Sequence, residues 1–135
     1  MDERPLFSPA ERRVLESLLR HDVSFIVEGL SGAMLQGAPV VTQDIDLWFE
    51  NLGEPKMLRA KGPKCSTLSI HMSGLGSFAE EVKHALHVPL GRFQAKVLPL
   101  ERILASKMAA NRPKDRLVIP VLRDTLATLT SRKKV

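Results

Sequence analysis

Tyrosine is absent from the 135 residues, and tryptophan and cysteine occur once each. No apolar run approaches the roughly 20 residues of a bilayer span. The lone thiol, Cys65, can form no disulfide within the chain, so stability has to come from a packed core, and a reducing compartment is expected. The opening stretch MDERPLFSPAERR carries acids where a secretory leader is apolar. A soluble, cytoplasmic protein without membrane partners is therefore the expectation. The scarcity of aromatic rings leaves little on which nucleic-acid bases could stack. The net charge of +5 then reads as a solvated basic face around Lys56, Arg59, Lys61 and Lys64 with a basic end at Arg132 to Lys134, compatible with an anionic ligand.

At 44% hydrophobic residues the chain has the size and composition of one ordinary domain. Ser8-Pro9-Ala10-Glu11 has the form of a capping box with proline at the first helical position, and Val14, Leu18 and Leu19 continue it at helical spacing. Strand composition follows over 23–27, ended by Gly29, then a short helix over 30–36 closed by Gly37. A second strand is expected over 44–49, a loop or brief helix to Pro63, and a third strand over 67–72. A helix over 77–85, a strand over 92–98, and helices over 99–110 and 114–131 complete the reading, with a kink or restart at Pro120. The absence of repeats or linkers makes this a single α/β (α+β) domain, with a core of 8–98 and C-terminal helices over 99–131.

The segment VVTQDIDLWFE sets Asp44 and Asp46 one residue apart in an otherwise apolar strand. Strand alternation turns both carboxylates to one side together with Trp48, and Ile45, Leu47 and Phe49 to the other. Like charges this close raise each other's pKa unless something positive lies between them. Mg2+ suits the position, since it is commonly held by one or two carboxylates plus substrate phosphates. The plainer use is a turn cap at one aspartate and an ion pair at the other. The preceding strand ends at Gly29, where Leu30 and Ser31 open a short helix whose backbone N–H groups could meet phosphates.

Together these residues, FIVEGLSGAMLQGAPVVTQDIDLWFE, resemble the signature of the DNA polymerase beta-like nucleotidyltransferase superfamily, in its small prokaryotic minimal-nucleotidyltransferase branch. The later LERILASKMAANRPKDRLVIPVL is similar to the helical segment that accompanies that core, with its K-x-A-x-x-R-P-K-D run. The resemblance implies a mixed sheet with packed helices and transfer of a nucleoside monophosphate from ATP or another nucleoside triphosphate to an acceptor hydroxyl on protein, RNA or a small molecule. It implies Mg2+ on Asp44 and Asp46, and phosphates over Gly29, Leu30 and Ser31. It also admits a non-catalytic, antitoxin-like module that holds RNA or a toxin-like helical partner protein.

Two departures from the pattern stand out. Glu28 puts an acid beside the glycine turn, where it would repel a triphosphate. The third carboxylate that the resemblance implies on a later strand is missing, because no Asp or Glu lies between Glu54 and Glu80, and residues 67–72 offer only Ser69 and His71 in phase. Lys107 falls on the apolar stripe of its helix; it either snorkels to the rim or reaches the phosphates and aspartates. Arg112 and Lys114 flank Pro113 at a helix start where Asp115 can favour the dipole; they are secondary candidates with solvation as their default. Trp48 reads as a core residue, and His21, His84 and His87 show no metal-ligand spacing.

Overall fold

The computed structural model describes residues 8–40, 42, 45–50, 67–69 and 74–133. Asp44, Cys65 and His71, and the 51–63 stretch expected as a loop or brief helix, lie outside the described residues. The chain opens with α1 (Pro9–Arg20), started as its sequence predicts: the Ser8 hydroxyl accepts the Glu11 N–H at 3.1 Å and the Glu11 carboxylate accepts the Ser8 N–H at 2.7 Å. It is followed by β1 (Phe25–Glu28), α2 (Gly29–Leu35), β2 (Asp46–Phe49) and β3 (Thr67–Ser69). A short α3 (Phe78–Glu81) tightens into a 3-10 turn at Val82–His84, so the helix expected over 77–85 divides in two. Then come β4 (Leu86–Leu90), β5 (Phe93–Val97), α4 (Leu100–Ala110) and α5 (Pro113–Lys133).

The strands form a mixed sheet in the order β3-β2-β1-β5-β4. β1 is antiparallel to β2 and parallel to β5, while β2 and β3 are parallel. The hairpin of β4 and β5 was not anticipated. Leu90 faces Phe93 across a two-residue turn in which Gly91 takes φ +74°, the position that a type II′ turn reserves for glycine. Pro89 within β4 disguises it as a strand and, on this edge, withholds a backbone donor from any further strand.

Alternation along β1 and β2 splits the core in two. Phe25, Val27, Ile45, Leu47 and Phe49 pack with Leu15 and Leu18 of α1 on one face. Ile26 and Trp48 pack with Phe78, Ile103, Leu104 and Leu122 of α3, α4 and α5 on the other. Gln36 fastens this second layer: its amide nitrogen donates to the carbonyls of Gly32 at 3.0 Å and Leu98 at 2.8 Å, and its amide oxygen accepts the Leu100 N–H at 2.8 Å. Glu81 does the same for α3, gripping the Arg102 guanidinium at 3.0 and 2.6 Å and accepting the Gly76 N–H. α5 continues as one helix through Pro120, which is exposed, so of the kink or restart allowed for there the restart does not occur. No helix among the described residues is long and apolar enough to cross a membrane.

Trp48 is a core residue, 1% exposed, with its ring edge-on to Phe78 at 5.6 Å between centroids. Replacement by alanine removes the largest buried side chain of the layer and leaves a cavity. Trp48→Ala is expected to cost about 3–5 kcal/mol, read as a lower midpoint in urea with an unchanged slope.

Candidate functional site

Where β1 passes into α2, the antiparallel register places Glu28 directly opposite Asp46. Glu28 follows Ile26 in phase, and Asp46 precedes Trp48 in phase, so both carboxylates share the face covered by α4 and α5. The turn between β1 and α2 is made by Gly29 at φ +60°, and a Cβ there would stand 2.9 Å from the Asp46 Cγ. Glycine thus serves two needs: a left-handed backbone and room for the Asp46 carboxylate.

One turn into α2, Ser31 ties the arrangement together. Its hydroxyl donates to the Glu28 carbonyl at 2.9 Å and accepts the Asp46 N–H at 3.0 Å. The residue is fully buried. The hydroxyl is thus committed to the two strand ends, and the phosphate contact expected of this turn would fall to its backbone N–H groups. Leu30 is half-buried in the first turn of α2.

The cations come from the junction of α4 and α5. α4 ends at Asn111, which adopts the left-handed conformation that asparagine tolerates, with φ +49°. In the first turn of α5 the Asp115 carboxylate, 1% exposed, accepts the Arg112 N–H at 3.1 Å and two guanidinium N–H bonds at 2.7 and 3.1 Å. The Lys107 ammonium stands 3.6 Å from the same carboxylate. Burial works against charge on Asp115, but the bonds from Arg112 and the nearby ammonium outweigh it and hold its pKa below the ordinary range. Lys107 thus neither snorkels freely nor serves the aspartates alone: it is anchored at Asp115 and acts electrostatically on Glu28.

Glu28 is 5% exposed. Burial, and then repulsion from Asp46, raise its pKa to about 7, with Lys107 and Arg112 pulling the other way. Asp46, Gly29, Leu30, Ser31 and Lys107 are accordingly gathered around one end of the sheet. Among the described residues no group of three or more His, Cys, Asp or Glu is arranged to hold a metal. Sequence reasoning passed over Glu28 as an active participant and gave Asp115 only a helix-dipole role. The signals were the period of two from Ile26 to Glu28 and the K-x-A-x-x-R-P-K-D spacing, which returns Asp115 to Lys107 across a helix break.

No family model matches the chain, and no curated protein or solved structure does so either.

The raised pKa of Glu28 has a signed consequence. Between about 4.5 and about 7 the folded protein holds a proton there that the unfolded chain releases. Stability contributed by the neutral acid is therefore present below the unfolded value and lost as pH rises through the folded one, by about 3 kcal/mol in all. Urea melts in EDTA should show Glu28→Gln equal to the native chain at about pH 4, below the unfolded value, and more stable at pH 8.

Proposed function

We propose that the chain is a nucleotidyltransferase-like protein with the corresponding fold. In this reading it binds ATP or another nucleoside triphosphate with Mg2+ and transfers the nucleoside monophosphate to an acceptor hydroxyl. The observation that carries this reading is the seating of the Asp46 carboxylate against the Gly29 turn at the end of the sheet. The mixed strand directions and the helix pair that brings Lys107 and Arg112 to the same face support it. Asp46 offers the hard oxygen donor that Mg2+ prefers, and Asp44, two residues earlier in sequence, is its proposed companion.

In this reading Mg2+ supplies charge neutralisation on the phosphates. The chain's own residues supply position: Gly29 leaves room for Asp46, Ser31 fixes the strand ends, and Asp115 holds Lys107 and Arg112 where they offset negative charge. The acceptor hydroxyl gives up its proton to water as its oxygen forms a bond to the α-phosphorus, the bond from that phosphorus to the bridging β-phosphate oxygen breaks, and pyrophosphate leaves.

Calorimetry of ATP with and without Mg2+ tests the assignment. The native chain should bind only with the metal, and Asp44→Asn and Asp46→Asn should each weaken binding tenfold or more while remaining folded. Absence of binding in the native chain would instead favour the partner-binding module. In that case salt-sensitive RNA binding, or capture of a toxin-like helical protein, should survive both substitutions.

A further inference from the structure

We propose that Glu28 is a ligand, together with Asp46, of the divalent cation, so that the missing acid of the later strand is supplied by the strand before. The inference rests on the reading of Asp46 as a metal ligand and adds a residue to it. Three observations carry it.

The first is register: Glu28 and Asp46 are Cα partners on antiparallel strands, which sets their Cβ atoms about 5 Å apart on one face. The second is near-complete burial of a residue whose carboxylate, still touching solvent at its oxygens, has no protein partner among the described residues. Glu28 is 5% exposed, and among the described residues no hydrogen bond or ion pair reaches its carboxylate, although its backbone carbonyl accepts from Ser31. The third is the allocation of nearby positive charge. Both cations that could have neutralised Glu28 are spent on Asp115, Arg112 through two guanidinium bonds and Lys107 at 3.6 Å. A buried carboxylate facing a second one, with the local cations engaged elsewhere, calls for a proton or a bound cation. Two carboxylates, with water and phosphate oxygens completing the shell, are an ordinary Mg2+ ligand set.

Mn2+, a hard divalent probe whose free form is read by electron paramagnetic resonance, tests this without nucleotide or turnover. Titrations at pH 8 would compare the native chain with Glu28→Gln, Glu28→Asp and Asp46→Asn, each checked for folding by thermal melts in EDTA. The expected result is a native site whose affinity falls tenfold or more in Glu28→Gln and in Asp46→Asn, with part of the loss restored in Glu28→Asp. Native affinity in Glu28→Gln, alongside loss in Asp46→Asn, would overturn the role of Glu28 and leave the proposed function standing. Tighter binding in Glu28→Gln would also overturn it, making Glu28 a repelling group. Failure of the native chain to bind Mn2+, even with ATP added, would remove both.

Discussion

The register between β1 and β2 is the constraint on which the rest depends. Because side chains alternate with a period of two, a slip of β2 by one residue would turn all of its side chains to the opposite faces. Leu47 and Phe49 would leave α1, and Trp48 would leave α4 and α5. The same slip would part Glu28 from Asp46. Hydrophobic burial therefore selects the alignment, and the pair of facing carboxylates comes with it. Ser31 adds a local lock, bridging the carbonyl of one strand end to the N–H of the other.

Positive charge reaches this end of the sheet by a route that is independent of the strands. The break at Asn111 brings the end of α4 and the start of α5 together, and Asp115 draws Lys107 and Arg112 onto a single buried carboxylate. Removing either partner of such a cluster exposes the other to an uncompensated desolvation cost, so its members hold one another in place. The cations so held act on Glu28 without bonding to it. The result is a field that lowers the cost of negative charge at Glu28 while leaving its oxygens uncommitted.

Much of this was legible in the sequence because it is local. The Ser8 capping box, the glycine after β1 and the break before Pro113 each depend on a few adjacent residues, and each lies where its chemistry places it. The β4–β5 hairpin was not legible, since Pro89 argues against a strand and only pairing with β5 reveals that it occupies an edge. The place of Glu28 opposite Asp46 was hidden for a related reason. Taken along the chain it is an acid next to a phosphate-sized turn. Its meaning changes once β2 is laid antiparallel beside it. The links from Gln36 to Leu98 and from Glu81 to Arg102 are likewise invisible until the helices are packed, because their partners are distant in sequence.

The charge count at the site bears on what can enter it. Glu28, Asp46 and Asp115 contribute three carboxylates against two cations, Lys107 and Arg112. With Glu28 protonated these five groups balance, and with it ionised they carry one negative charge; Asp44, outside the described residues, would add to the negative side of the proposed site. If the proposed function holds, a metal-bound nucleotide rather than a bare triphosphate is the species that such a balance favours. Under the proposed function, selectivity for a metal complex over the free nucleotide would follow from the acid that, on sequence alone, looked like an obstacle to phosphate.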